Sequence, residues 1–249
     1  MREGGLVLAR RWLNLSVSAA LAEHIIHFLE NELRVAGWEV ESDEWGNIMA
    51  QRGNSTSMPL LNAHMDTCQV EKDEYSMSGI AYEPATDRFQ LAGVQLGCDD
   101  KAGLAIILCL AKYTDLEFKI LLTVQEECGQ WGVQQIPAKF FKDVCWIFSL
   151  DRKGANDIIT NYLGSDTCTE VFYGKLVQVA KEIGMELHRA SGSRADTYYL
   201  AEHCPAVNLS VGYYGPHRDN DYLVVRETYN TLNLVARCLK HKVELINGR

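Results

Sequence analysis

The chain has 249 residues and a formal net charge of −9 at pH 7, from 24 Lys and Arg against 33 Asp and Glu. Hydrophobic residues make up 47% and charged residues 23%, which is typical of a folded domain and excludes disorder over most of the length. The acidic balance argues against a nucleic-acid partner. The sequence contains no run of 18 apolar residues, so we expect no transmembrane helix. We expect a single domain over residues 1–249.

The first segments of the chain alternate between helical and extended patterns. Apolar residues at helical spacing predict an amphipathic helix over residues 17–35. Strands are predicted at 38–42, 47–51 and 58–63. Residues 75–96 mix Gly, Pro and Asp with short alternating pieces and indicate loops with a hairpin, which either covers a site or mediates assembly.

The rest of the chain interleaves helices with continuous apolar runs. Helices are predicted at 101–112, 170–183 and 226–241, and strands at 120–124, 144–150 and 206–211. Continuous runs suit parallel strands that are covered on both faces. The pattern predicts a three-layer α/β/α sandwich with a mostly parallel, mixed central sheet.

The eight cysteines form no C-x-x-C pair, so a cysteine-rich zinc site is not expected. Several lie within apolar runs, where a free thiol behaves as a small hydrophobic group. We interpret them as reduced thiols of a cytoplasmic protein. Arg10 and Arg11 precede an uncharged stretch that weakly resembles a secretory leader, but Glu3 and the continuing helical pattern favour the cytoplasmic interpretation.

Polar residues cluster where the predicted strands end. His and carboxylate groups follow four strands, and a further acidic pair precedes the helix at 101–112: His64 and Asp66, Glu126 and Glu127, Asp151, His217, and the pair Asp99–Asp100. In open α/β sheets, ligands bind beyond the carboxyl ends of the strands. Each residue alone has an ordinary explanation as a hydrogen-bonded histidine, a solvated turn or a helix cap.

Several carboxylates in one place repel one another unless cations neutralise them, so the set as a whole favours a metal site. Two His with Asp and Glu suit Zn²⁺ or a similar divalent ion. If the end of the strand is extended, the side chains of His64 and Asp66 lie on the same face. His64 can then bind metal while Asp66 orients the imidazole ring. Glu126 and Glu127 point to opposite sides, so one can be a ligand while the other faces an attacking water.

Five stretches in chain order resemble the co-catalytic zinc exopeptidases, a group that includes peptidase T and the M20, M42 and M28 metallopeptidases: NAHMDT, GCDDKAG, VQEECG, SLDRKG and YYGPHRDND. The resemblance implies two divalent ions, zinc or else cobalt or manganese. It implies Asp99 as the bridge between them, Asp66 as partner of His64, Glu126 as general base, and an Asp99–Asp100 peptide that is often cis. The implied metal ligands are His64, Asp99, Glu127, Asp151 and His217.

The spacing departs from that of the larger members of the group. Only 66 positions separate Asp151 from His217, too few for the lid domain of the M20 enzymes. Only 33 separate Asp66 from Asp99, too few for the inserted domain of the M42 enzymes. We expect a bare catalytic domain, closed by loops or by a second subunit of a homo-oligomer.

Three functions remain open from the sequence. The first is an aminopeptidase acting on short peptides, the second is a deacylase or amidase of N-acyl amino acids or related small amides, and the third is a catalytically silent scaffold. Arg194, Asp196 and Tyr214 are candidates for substrate contact, although a surface turn, a helix cap and ordinary packing would also explain them. The chain contains no G-x-S-x-G, P-loop or G-x-G-x-x-G motif, which disfavours serine hydrolases, P-loop nucleotidases and dinucleotide enzymes.

Overall fold

The structure is a computed structural model that describes residues 22–68, 80–91 and 95–241. The helices in this part of the chain are α1 Ala22–Val35, α2 Cys98–Tyr113, α3 Glu170–Glu182, α4 Asp196–Leu200 and α5 Val225–Lys240. The strands are β1 Glu39–Ser42, β2 Ile48–Arg52, β3 Met58–His64, β4 Ile80–Glu83, β5 Arg88–Leu91, β6 Phe118–Thr123, β7 Val144–Arg152, β8 Asp157–Tyr162, β9 Ser165–Asp166, β10 His188–Gly192, β11 Ala206–Ser210, β12 Tyr213–Tyr214 and β13 Tyr222–Val224.

A nine-stranded sheet forms the centre of the molecule. Its order is β1-β2-β6-β3-β7-β11-β8-β10, with β9 paired to β8. The central strands β6, β3, β7 and β11 are mutually parallel, whereas β1, β2, β8 and β9 introduce antiparallel pairs. The central strands carry buried apolar side chains on both faces, as expected for a covered parallel sheet. The predicted mixed, mostly parallel α/β sandwich is confirmed.

The two faces of the sheet are covered differently. The larger core lies on one face, where Leu61, Ile120 and Phe148 pack under the long helices α1, α2, α3 and α5. Leu60 and Ile147 point to the other face, which is covered by α4 and by two short 3₁₀ turns, Val133–Gln135 and Ala138–Phe141. The second helical layer is therefore much thinner than the first.

A second, four-stranded antiparallel sheet has the order β12-β13-β5-β4. It contains the hairpin predicted within residues 75–96, formed by β4 and β5 around the turn at 84–87. Strand β13 joins this hairpin to β12, the strand that precedes His217. The parts of the predicted segment at 75–79 and 92–94 lie outside the described residues.

The described helices and strands agree with the predicted ones to within a few residues, and six further ones were not predicted. These are β8, β9, β10, β12, β13 and the short helix α4. Residues 17–21 of the first predicted helix and the leader-like residues 10–21 lie outside the described part of the chain. Among the described helices, none is long and apolar enough to cross a membrane. The single-domain assignment stays a prediction.

Candidate metal centre

Three neighbouring parallel strands bring polar side chains to one edge of the central sheet. His64 is the last residue of β3, Asp151 is the penultimate residue of β7, and Glu126 lies three positions beyond the end of β6. Because β6, β3 and β7 are adjacent and parallel, their carboxyl ends open onto the same edge. The sheet thus places these groups together although they are far apart in sequence.

Two loops add the remaining groups to this edge. Asp99 and Asp100 lie at the start of α2 but have non-helical backbone angles, and the peptide bond between them is cis, as the resemblance implied. His217 follows β12 with a left-handed backbone at φ 61°. Both loops direct their side chains toward the ends of β3 and β6.

The carboxylate of Asp99 lies between two histidines. Its Oδ1 is 3.0 Å from Nε2 of His64, and its Oδ2 is 3.3 Å from Nε2 of His217. Asp151 Oδ1 lies 3.4 Å from the His64 nitrogen, and Glu127 Oε1 lies 2.7 Å from the His217 nitrogen. The five side chains therefore form two adjacent clusters that share one carboxylate.

Three overlapping sets of donor atoms are close enough for a metal ion, with all atoms of a set within 4.8 Å of one another. The first combines His64 with Asp99 and Glu127, and the second combines His64 with Asp100 and Asp151. The third combines Glu127 and His217 with Cys68. Imidazole nitrogens and carboxylate oxygens in this proportion suit zinc and related divalent ions.

A hydrogen bond of the His64 ring determines which of its two nitrogens is available to bind a metal. Nδ1 lies 3.0 Å from the main-chain oxygen of Asp66. A carbonyl oxygen only accepts, so Nδ1 carries a proton and donates it there. With Nδ1 so occupied, Nε2 is the nitrogen left to bind a metal.

The contact with Asp66 differs from the expectation that the Asp66 carboxylate orients the ring. The nearest carboxylate oxygen is 3.6 Å from Nδ1, beyond hydrogen-bond distance, and the main-chain oxygen takes its place. The carboxylate instead accepts the backbone N–H groups of Glu126 and Glu127, each at 3.1 Å. The reason is that residues 65–68 leave the strand, so the alternation of side chains assumed for an extended strand does not apply.

Asp100 has mainly backbone partners. Its Oδ2 accepts the N–H of His64 at 3.3 Å, and its Oδ1 accepts the N–H of Gly103 at 3.0 Å. The side chain is fully buried, and burial raises the pKa of its carboxyl well above the ordinary value. Asp100 thus ties the end of β3 to the first turn of α2, whereas Asp99 faces the two histidines.

The electrostatics of the site show an excess of negative charge. Burial, together with nearby Asp151 and other carboxylates, raises the pKa of Glu126 to about 9. Burial raises the pKa of Asp151 to about 7, with Asp99 and Asp196 adding to the effect, and raises the pKa of Asp196 to about 6. Buried carboxyl groups with raised pKa values indicate that the protein's own cations do not neutralise the site.

The two histidines supply only part of the positive charge that would balance the carboxylates. Burial on its own would lower the pKa of His64, but the carboxylates of Asp151, Asp66 and Asp99 outweigh it and hold that pKa well above the ordinary value. Hydrogen bonds to Asp99 and Glu127 raise the pKa of His217 to about 10. Divalent cations would both neutralise the surplus carboxylates and use the imidazole nitrogens, so the residues present fit divalent metal.

Glu126 lies at the edge of this site without joining any of the three donor sets. It is only 8% exposed, and Gln130 Nε2 donates to its Oε1 at 3.2 Å and to its main-chain oxygen at 2.8 Å. Its carboxylate therefore has one fixed amide partner, Gln130, and lies near enough to His64 for the charge of that imidazole to act on it. Such a group suits the transfer of a proton better than the binding of a metal.

The predicted substrate residues occupy three different environments. Arg194 is exposed. Asp196 is only 3% exposed and is hydrogen-bonded to Thr123 and Asn62, so it lies beneath the site, which departs from the expectation that it lines a substrate pocket. The Tyr214 hydroxyl donates to Glu227 at 2.7 Å, and its ring stacks on Tyr222.

Supporting residues that the sequence did not indicate surround the site. The Asp221 carboxylate accepts the N–H groups of Leu96, Gly97 and Cys98, which fixes the loop that leads into Asp99. Asn208 Oδ1 accepts the Asp151 N–H at 3.0 Å. Asp221 was visible in the YYGPHRDND stretch, but nothing in the sequence pairs it with residues more than 120 positions earlier.

The sequence matches no protein-family model and no curated protein. The fold, in contrast, is similar to solved structures over almost the whole chain. Aminopeptidase PepT from Bacillus cereus ATCC 10987 has a TM-score of 0.81 at 15% identity, with 98% of this chain and 99% of that chain covered. A tripeptidase from Staphylococcus aureus subsp. aureus Mu50 has a TM-score of 0.78 at 14% identity, with 97% and 96% covered.

A third similar structure is the TET1 peptidase of Pyrococcus horikoshii, which can assemble into a tetrahedron or a large octahedral shell. Its TM-score is 0.68 at 14% identity, with 94% of this chain and 99% of that chain covered. The chain therefore shares its fold with these three peptidases. That fold agrees with the one implied by the resemblance that the five sequence motifs carry.

Proposed function

We propose that the protein is a metal-dependent aminopeptidase that acts on short peptides and uses two divalent ions, zinc by preference. The observation that carries the proposal is the position of Asp99, whose two carboxylate oxygens lie against Nε2 of His64 and Nε2 of His217. His64 and Asp151 would hold one ion, Glu127 and His217 the other, and Asp99 would bridge them. The aminopeptidase and tripeptidase neighbours of the fold support the substrate class.

The proposed reaction is hydrolysis of the amide bond after the first residue of a peptide. Divalent cations, when bound, would supply Lewis acidity and lower the pKa of water. Glu126 accepts a proton from the attacking water and delivers it to the leaving amine, and Gln130 holds its carboxylate in place. Asp66 positions Glu126 and Glu127 by accepting both of their backbone N–H groups.

The Glu126→Gln variant tests the role of the base. An amide of the same shape cannot accept the proton, so we expect kcat to fall by about 10²–10⁴-fold while the bound metal, measured by elemental analysis, is unchanged. Glu202→Gln, an exposed position on the same chain, is the matched control and should keep full activity. Comparable turnover in Glu126→Gln and the control would disprove the role.

A substrate panel tests the aminopeptidase assignment against the deacylase alternative. Di- and tripeptides with a free amino terminus should be hydrolysed, and their N-acetylated counterparts should not. Preferential hydrolysis of the acetylated compounds would instead identify a deacylase. The absence of turnover with either set, in protein that binds divalent metal, would favour the scaffold alternative.

Two further properties belong to the same proposal. None of the eight cysteines is joined in a disulfide, which supports a reducing compartment such as the cytoplasm. We also propose a homo-oligomer, because the TET1 peptidase of similar fold assembles into shells and because the short spacing between the site motifs leaves no room for a lid domain. Sedimentation of the purified protein measures this state, and a monomer at micromolar concentration would contradict it.

A further inference from the structure

We infer that Cys68 is a sulfur ligand of the metal position that Glu127 and His217 form, so that the two metal positions differ in chemistry. This inference rests on the two-metal function proposed above. The sequence motifs implied ligands of nitrogen and oxygen only. Cys68 lay outside that set, because its separation from the other cysteines fits no cysteine-rich zinc motif.

The geometry places the thiol beside the second cluster. Cys68 lies four positions beyond the end of β3, in the segment 65–68 that leaves the sheet edge. Its Sγ, a carboxylate oxygen of Glu127 and a ring nitrogen of His217 all lie within 4.8 Å of one another. A tetrahedral zinc ion with bonds of about 2.0–2.3 Å spaces its ligand atoms by roughly 3.5 Å, so small side-chain movements suffice to close the set.

Each of the two positions would then have its own ligand set. His64 and Asp151 offer one nitrogen and carboxylate oxygens, which are hard or intermediate donors. Glu127 and His217 with Cys68 offer an oxygen, a nitrogen and a thiolate sulfur, and the sulfur favours soft ions such as Zn²⁺ and Cd²⁺ over Mn²⁺. On coordination the thiol releases its proton to solvent, and the metal–sulfur bond forms with no change of oxidation state.

The burial of the thiol agrees with this role. Cys68 is partly buried at the rim of the site, next to Glu127, which is also partly buried, and His217, which is exposed. Cys98 and Cys238 are fully buried, and burial raises the pKa of both thiols. Cys128 is exposed and belongs to none of the three donor sets found among the described residues. Cys128 therefore provides a matched control for Cys68.

Cobalt substitution tests the sulfur ligand without any activity assay. Metal-free full-length protein is titrated with Co²⁺, and the absorption spectra of wild type, Cys68→Ser and Cys128→Ser are compared. We expect wild type and Cys128→Ser to show the sulfur-to-cobalt charge-transfer band in the near ultraviolet. Cys68→Ser should lose that band and keep the weaker visible bands of cobalt bound by nitrogen and oxygen.

The outcomes separate the inference from the proposed function. If wild type binds cobalt with visible bands but no charge-transfer band, or if Cys68→Ser keeps that band, the sulfur ligand is disproved while the metal site stands. If equilibrium dialysis detects no cobalt on any of the three proteins, both the inference and the two-metal function are disproved. Circular dichroism of Cys68→Ser shows whether the variant is folded, and Cys68→Ala replaces it if it is not.

Metal selectivity gives a second, independent measurement. Competition between Cd²⁺ and Mn²⁺ is followed by elemental analysis after dialysis. We expect the ratio of Cd²⁺ to Mn²⁺ affinity to fall by at least about tenfold in Cys68→Ser, because the soft ligand is lost, and to stay unchanged in Cys128→Ser. An equal ratio in all three proteins would overturn the inference.

Discussion

At the scale of single residues, Asp66 shows how one carboxylate can organise the site without binding a metal. Its two oxygens accept the backbone N–H groups of Glu126 and Glu127, and its main-chain oxygen accepts the Nδ1 proton of His64. The Asp66 pKa is lowered, because the contacts with His64 and the two amides outweigh the effect of burial. Asp66 therefore fixes the proposed base and two proposed ligands at once.

Removal of the Asp66 carboxylate should reduce activity because Glu126 is displaced, and not only because metal is lost. In Asp66→Ala the two amides lose their acceptor and Glu126 moves, so we expect kcat/KM to fall by about 10–100-fold. Asp66→Asn keeps one oxygen as an acceptor, so its kcat/KM should fall less than that of Asp66→Ala. Equal kinetics for wild type and Asp66→Ala would contradict the role, and thermal unfolding of both variants serves as the control for folding.

At the scale of elements, the approach of α2 to the central sheet depends on Gly103. A Cβ atom at this position would lie 2.0 Å from the main-chain oxygen of Leu150 and 2.6 Å from Oδ1 of Asp100. The close approach allows Asp100 to accept the Gly103 N–H and the His64 N–H together. The helix that carries Asp99 is thus held against β7 at a distance that no side chain permits.

Gly103→Ala should therefore destabilise the protein by about 1–3 kcal/mol, because the added methyl group overlaps backbone that cannot move alone. Gly174→Ala is the matched control, since Gly174 lies within α3 and an added Cβ would meet nothing within 4 Å. The control should be neutral or stabilised by roughly 0.5–1 kcal/mol through helix propensity. Urea unfolding measures both, and equal stabilities would contradict the packing argument.

The same elements show how much of the fold could be predicted from the sequence. Strands β3, β6 and β7 were predicted because they are continuous apolar runs, and the residues that follow them marked the edge of the site. Strand β10 was not predicted, because its residues are largely exposed and polar and it lies at the end of the sheet. The direction of the Asp66 carboxylate depends on where the chain leaves β3, which side-chain alternation alone does not determine.

At the scale of the whole molecule, the collection of raised pKa values couples stability to pH. A group whose pKa is higher in the folded than in the unfolded chain binds its proton more tightly in the folded state. Its contribution to the free energy of unfolding is therefore complete at low pH and is lost as the pH rises through the folded pKa. Asp196, Asp151 and Glu126 have folded pKa values of about 6, 7 and 9, against ordinary values near 4. His217, with a pKa of about 10, acts in the same direction.

The metal-free protein should therefore become less stable as the pH rises from about 5 to about 9. Divalent metal should reverse this trend, since a cation stabilises the ionised carboxylates, and the gain in Tm on adding Zn²⁺ should be larger at pH 8 than at pH 5. Glu126→Gln, which removes one of these groups, should flatten the metal-free profile. A Tm of the metal-free protein that rises over this range would contradict the charge balance described for the site.

The four-stranded sheet links the hairpin β4–β5 to the histidine at the rim of the site. Strand β13 pairs with β5 on one side and with β12 on the other, and His217 lies three positions beyond the end of β12. A stacked pair of rings, Tyr214 on Tyr222, adds a side-chain contact to this connection. Excision of the hairpin would leave β13 with an unpaired edge and would loosen the anchorage of His217, so the geometry of the candidate metal site depends on this surface hairpin.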